Sequence, residues 1–261
     1  MILHIPHASQ VIPGDERNSF VCDDAALERE LLRSTDAYTD ELFDATNATR
    51  IVFPVSRLVV DPERFLDDAQ EPMAVRGRGV VYTRTVDGQP LAKLRDEGVA
   101  SSWGLIRNQR ITRYYTPHHQ RLERAVADAL VSRGFALIID CHSFPSAPWL
   151  VERNPEALRP EFCIGTDPFH TPPDLTNLTT SFFRDYGHTV EVNRPYAGSI
   201  VPMAHFQNNP CVVSIMIEVR RDLYMDESTG AKNTFFSACH DVLRGLLKEL
   251  GDWEKRRGVG V

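Results

Sequence analysis

Three apolar runs constrain this chain more than anything else in it, because each ends on a side chain that can bind a metal or move a proton. They are Met-Ile-Leu-His-Ile-Pro-His (1–7), Phe-Ala-Leu-Ile-Ile-Asp-Cys-His-Ser (135–143) and Val-Val-Ser-Ile-Met-Ile-Glu (212–218). Short runs without polar alternation read as strands buried on both faces, the signature of a mostly parallel sheet. Open α/β sheets bind their ligands beyond the carboxyl ends of the strands. His7, His142 and Glu218, distant in sequence, are therefore expected to share one crevice.

Helical spacing fills the intervals. An apolar stripe of Leu27, Leu31, Tyr38, Leu42 and Phe43 predicts a helix over 25–46, and Leu122, Ala125, Val126, Ala129 and Leu130 predict another over 117–133, with Pro117 in its first turn. One or two short strands are expected in 50–60, further strands at 161–166 and 188–193, a helix at 174–187 and a long amphipathic helix at 231–257. The segment 61–104, rich in Gly, Pro, Asp and Arg, reads as a long irregular stretch, and such loops often carry function. The alternation implies a three-layer α/β/α fold with a central mixed, mostly parallel sheet, and one domain over 1–261.

Composition narrows the partners. A net charge of −7 argues against nucleic acid, whose phosphates need a basic face. No apolar stretch reaches the ~20 residues of a membrane span. No signal-peptide pattern is read at the N-terminus, and the five cysteines are irregularly spaced with no CxxC, so a cytoplasmic protein with reduced thiols is expected. Oligomeric state is not legible.

Two imidazoles with carboxylates point to a metal-dependent hydrolase. His142 is either a zinc ligand, with Asp140 available to orient a ring, or a strand-end histidine bonded to a loop. His4 and His7 lie three apart on a strand and face opposite ways, so His7 is taken as the ligand and His4 as structural. Cys141 alternates away from His142. Asp36 and Asp40, four apart on the predicted helix, form either a solvated face or the source of a third ligand. Glu218 is either the base that takes a proton from water or the partner of Arg220 or Arg221. Arg57, Asp61 and Arg64 form either a surface salt-bridge cluster or a carboxylate clamp with an oxyanion donor. Ser143 and Ser199 lack a G-x-S-x-G elbow, and no Walker A or Rossmann glycine signature occurs.

Taken together, Pro6-His7-Ala8-Ser9, Thr35 to Phe43, Ser56-Arg57-Leu58-Val59-Val60-Asp61, Ile139-Asp140-Cys141-His142-Ser143, Pro195-Tyr196-Ala197-Gly198 and Glu218 to Asp226 resemble the N-formylglutamate amidohydrolases, in order from residue 2 to roughly 250. That family is similar in turn to the zinc carboxypeptidases and aspartoacylases. The resemblance implies Zn2+, or another divalent metal, on His7, Asp36 and His142. It implies Glu218 as general base and Arg57 as oxyanion donor. Arg64, Ser143, Tyr196 and Arg194 would contact a small N-acyl amino acid, with Arg84 and Arg113 as further candidates for a second cation. Asp61 would orient His7, with Asp40 also behind the ligands. Carboxypeptidases carry a Glu three residues after the first zinc histidine and an Asn before the clamping Arg; here these positions are Gln10 and Glu63. The implied reaction is hydrolysis of N-formyl-L-glutamate to formate and L-glutamate. A related carboxypeptidase or deacylase, or an inactive metal- or carboxylate-binding homologue, are the alternatives.

Overall fold

A computed structural model describes residues 1–92, 100–152 and 158–258, without the side chains of 100–103. Parts of the 61–104 and 145–160 segments thus lie outside the described residues. Among these residues six strands form one sheet: β1 (Ile2–Ile5), β2 (Thr49–Val52), β3 (Ala136–Phe144), β4 (Phe162–Gly165), β5 (Val190–Val192) and β6 (Val212–Arg220), in the order β2-β1-β3-β6-β4-β5. The first four in that order run parallel, and β4 turns antiparallel to β6 while pairing parallel with β5. The sheet is mixed and mostly parallel.

Alternation along β3 and β6 sends the two sets of side chains to different cores. Leu137, Ile139, Cys141, Val213, Ile215 and Ile217 pack with α5 (Pro173–Asp185) and α6 (Phe236–Gly258), where Phe183 stacks on Phe162 at 3.8 Å between centroids. Ala136, Ile138 and Val212 pack on the other face with Leu122, Val126 and Ala129 of α4 (Thr116–Arg133). Cys141 therefore faces away from His142. The result is three layers.

Several elements depart from the sequence pattern. The helix expected over 25–46 is broken into α1 (Asp24–Ser34) and a single turn, α2 (Thr39–Leu42). Asp23 caps α1 by accepting from the Ala26 amide at 2.7 Å. Thr35 then turns extended, the Asp36 amide donates to the His7 carbonyl at 3.0 Å, and Tyr38 adopts φ 64°. The break is tertiary in origin, and it matters because it carries Asp36. The second short strand of 50–60 does not form; Leu58, Val59 and Val60 instead pack beneath the irregular segment with Val80, Val81 and Tyr82. A further helix, α3 (Ala100–Arg110), continues through a π turn (Ile111–Tyr115) into α4. Pro117 lacks the N–H that an α-helix interior requires, and it is the second residue after the π turn.

Candidate active site

The order of the sheet makes the crevice. From β1 the chain goes first to β2 on one side and then to β3 on the other, so the sequence reverses direction between β1 and β3. His7 lies two residues past β1, on the far side of Pro6. His142 stands in β3, and the β3–β6 register places Glu218 directly beside it. Asp36 reaches in from the broken helix, and Arg57, Asp61, Glu63 and Arg64 come from the turn after β2. These elements open on a cavity of about 770 Å³. It is lined by His7, Asp36, Arg57, Glu63, Arg64, His142, Ser143, Tyr196 and Glu218, among others.

His7 Nδ1, His142 Nδ1 and Asp36 Oδ2 converge. The separations are 3.3 Å between the two nitrogens, 3.1 Å from His142 Nδ1 to Asp36 Oδ2 and 3.5 Å from His7 Nδ1 to the same oxygen. Zinc bonds of about 2.0–2.1 Å in a tetrahedron require donor–donor edges of roughly 3.3–3.4 Å. The other nitrogen of each ring is held by carboxylate. His7 Nε2 donates to Asp61 Oδ1 at 2.8 Å, and His142 Nε2 lies 3.0 Å from Glu63 Oε2 and 3.1 Å from Asp140 Oδ1. Fixing both Nε2 protons in this way turns both Nδ1 lone pairs toward the same point, a common arrangement behind metal-binding histidines. Lone pairs at 3.3 Å beside a carboxylate repel unless a proton or a cation lies among them. The three donors thus fit a divalent ion.

The charges around them are strongly perturbed. Burial would lower the His142 pKa, but Glu63 and Asp140 override it and hold the ring well above the usual imidazole range. Burial likewise opposes ionisation of Asp36, and His142, His7 and Arg221 override it, keeping the carboxyl well below its ordinary value. Glu218 goes the other way: burial, then repulsion from Asp36 and Glu63, pushes it up to about 8 against the pull of His142 and Arg221. Its Oε2 is buried without a hydrogen-bond partner among the described residues. The arginines do not take it. Arg221 Nη2 donates to Asp36 Oδ1 at 2.9 Å, and Arg220 Nε donates to Asp222 at 2.7 Å.

Asp61 is the hub of the cationic side. It accepts from His7 on one oxygen, and on the other from Arg57 Nη2 at 2.8 Å, Arg57 Nε at 3.2 Å and Tyr82. Arg57 and Asp61 are buried and Arg64 is half-buried, and both arginines line the cavity, so the cluster faces the cavity rather than the outer surface. Ser143 lines the cavity and accepts from Arg221 Nε at 3.3 Å. Tyr196 lines it from the 195–200 loop and donates to Glu152 Oε1 at 3.1 Å. That loop lies so close to β4 that a Cβ on Gly165 would sit 2.3 Å from the Gly198 carbonyl oxygen.

Other expected residues sit elsewhere. Asp40 is exposed on α2, where its carbonyl accepts from Arg50, because the helix break separates it from Asp36. Arg194, Arg84 and Arg113 are all exposed, none lines the cavity, and Arg113 pairs with Asp15. Among the described residues the cavity gains instead Arg78, Glu63 and Trp149. Only Glu63 carried a local signal, as a carboxylate two residues beyond Asp61. Glu63 can also form a donor set with His7 and His142, and another with His4 and Asp140. Its Oε2, however, contacts the Nε2 side of His142, whereas Asp36 meets both Nδ1 atoms at ligand spacing. His4 is fully buried, between Asp140 at 2.8 Å and His118 at 2.8 Å.

A profile of the N-formylglutamate amidohydrolases matches residues 1–225. The chain belongs to the N-formylglutamate amidohydrolase family. The crystal structure of N-formylglutamate amidohydrolase from Ralstonia eutropha JMP134 superposes with a TM-score of 0.80 at 25% identity, covering 98% of this chain and 94% of that one. The gene product Atu2144 from Agrobacterium tumefaciens shares the fold, with a TM-score of 0.60 at 18% identity over 96% of this chain and 91% of that one. No curated protein matches the sequence. Family membership makes the chain a hydrolase of amide carbon–nitrogen bonds with a small-molecule substrate. Among the described residues no helix is long and apolar enough to cross a membrane.

Proposed function

We propose that this amidohydrolase cleaves N-formyl-L-glutamate to formate and L-glutamate at a divalent metal, zinc in the first instance, held by His7 Nδ1, His142 Nδ1 and Asp36 Oδ2. The observation that carries the proposal is the triangle of these three donors, with edges of 3.1–3.5 Å and with each ring's second nitrogen facing a carboxylate. A bound divalent ion supplies Lewis acidity and makes water a better acid.

The chain's own groups supply the rest. Glu218, next to His142 and with a free Oε2, takes the proton of the attacking water and returns it to the departing amine. Arg57 lies with Nη1 at 3.9 Å from Asp36 and lines the cavity, where its cation steadies the oxyanion that forms on the acyl oxygen. Asp61 fixes Arg57 and the His7 ring together. Arg64 holds the α-carboxylate through donors that Asp61, 3.7 Å from its Nε, does not saturate. Ser143 and Tyr196 border the same space as polar wall.

The test is formate release from N-formyl-L-glutamate by purified protein, with chelator and then with added zinc. Release that chelator abolishes and zinc restores is the expected result. Release untouched by exhaustive chelation would remove the metal from the proposal. No release from the zinc-loaded protein would remove the substrate.

A further inference from the structure

Arg78 is 1% exposed and yet lines the cavity. Its guanidinium carbon sits 3.9 Å above the Tyr82 ring centroid and 5.5 Å from that of Trp149. Nη1 donates to Glu30 Oε1 at 3.3 Å and to the Arg84 carbonyl at 3.5 Å, while Nη2 is buried with no hydrogen-bond partner among the described residues. Glu30 is a divided partner, since Oε1 also accepts from the Val86 amide at 2.9 Å and from Ser34 at 3.1 Å.

A structural role does not account for this. Arg110 is also 1% exposed, does not line the cavity and spends all three of its nitrogens. Nε donates to Glu16 at 2.8 Å, Nη1 to the Val59 carbonyl at 3.0 Å, and Nη2 to Ser19. A guanidinium used only for packing is satisfied in that way, because an unmade bond to a buried charge costs its desolvation. Arg78 leaves donor capacity at the wall of a cavity, with the Tyr82 and Trp149 rings beside its guanidinium. Such a fork suits a planar carboxylate. Among the described residues Arg64 is the other cavity arginine with an unpartnered buried nitrogen, Nε, whereas the Nε and Nη2 of Arg57 are engaged by Asp61 and Tyr82. Two open arginines on one cavity, one anchored beside the histidine cluster through Asp61 and one anchored on α1 through Glu30, fit a ligand with two carboxylates.

We propose that Arg78 binds the side-chain carboxylate of a dicarboxylic N-acyl amino acid and sets the preference of this enzyme for acidic over neutral side chains. This rests on the proposed amidohydrolase reading and adds to it a specificity residue that the 61–104 segment does not reveal by its pattern.

The test compares kcat/KM for N-formyl-L-glutamate and for its neutral isostere N-formyl-L-glutamine, in the metal-loaded wild type and in Arg78→Gln. The expected result is a loss of about 100-fold on the glutamate substrate, equivalent to about 2.7 kcal/mol at 1.36 kcal/mol per tenfold, with the glutamine substrate changed less than threefold. Equal losses on both substrates, or a preference left intact, would overturn the proposal. Arg78→Lys keeps the charge in the core and serves if the Gln variant does not fold. It should lose about tenfold on the glutamate substrate alone, since the forked donors are gone, and an unchanged ratio would again count against the role. Binding separates this inference from the substrate reading. Glutarate should raise the Tm of the wild type, butyrate should not, and Arg78→Gln should lose the glutarate shift. Wild-type protein that releases no formate but shows this pattern keeps Arg78 and removes N-formylglutamate; a glutarate shift that persists in Arg78→Gln removes Arg78.

Discussion

Replacing Asp61 by Asn isolates what a single buried carboxylate does for the site. The substitution preserves shape and leaves an oxygen able to accept from His7 Nε2, now at 2.8 Å from Asp61 Oδ1. On the other side it turns an amide N–H toward Arg57, whose Nη2 and Nε donate to Oδ2 at 2.8 and 3.2 Å. Arg57 is 8% exposed, and its nearest remaining carboxylate oxygen, on Asp36, is 3.9 Å away. Stranding a buried charge costs roughly 3–5 kcal/mol, and with Asp36 and Tyr82 still near Arg57 the low end, about 3 kcal/mol, is expected. For a chain of this size that corresponds to a Tm drop of roughly 6–12 °C. The His7 ring keeps its orientation but loses a charged acceptor, which should weaken zinc binding by about 10–100-fold. Asp61→Ala, which removes the acceptor altogether, should weaken it further. Denaturant unfolding and competition with a chromophoric chelator measure the two effects separately. Zinc affinity within twofold of wild type in both variants would refute the reasoning that Asp61 prepares His7 as a ligand, whatever the stability does.

The remaining predictions are more direct. Glu218→Ala should bind zinc normally and lose about 10²–10⁴-fold in kcat, the range of a proton-transfer group; a variant of near-normal turnover would take Glu218 out of the mechanism. Phe183→Ala empties a site stacked on Phe162 and should cost about 3–5 kcal/mol in denaturant unfolding while leaving kcat intact below the transition. Thiol labelling of the native protein at pH 8 should mark exposed Cys211 and spare Cys163 and Cys239, whose burial pushes them up to about 12 and leaves almost no thiolate. Mass-spectrometric detection of label on Cys239 before Cys211 would contradict the packing of α6.

The central strands are legible in the sequence because burial on both faces removes every polar alternation from them. β1, β3 and β6 each stand out as predominantly apolar runs, crossed by His4, Asp140 and Ser214 without regular polar alternation, and the residues at their ends follow from the general rule for parallel sheets. The antiparallel turn of β4 onto β6 carries no comparable signal, since a four-residue strand reads alike in either direction. The periodicity of 25–46 concealed the most consequential irregularity. Leu27 and Leu31 share a stripe with Tyr38 and Leu42, yet the chain breaks at 35–38 because Asp36 bonds to the His7 carbonyl and the Tyr38 hydroxyl donates to the Gly230 carbonyl at 2.8 Å. Those partners lie outside any local window. The same break moved Asp40 away from the cavity. Arg194, two residues beyond β5 and two before Tyr196, has the position of a cation for the cavity in the sequence but is exposed to solvent. Arg78 sits in a glycine-rich segment without period, where nothing local distinguishes a buried arginine from a surface one.

The donor triangle joins stretches that lie far apart along the chain, with His142 standing 135 residues from His7 and 106 from Asp36. No unfolded chain holds such a set together, so an ion bound there favours the native state alone. At a free concentration a thousandfold above Kd that preference would amount to about 4.1 kcal/mol, a large fraction of the roughly 5–15 kcal/mol by which domains are stable. Metal supply would then govern the lifetime of this protein as well as its rate, with apoprotein opening more often and reaching proteases sooner.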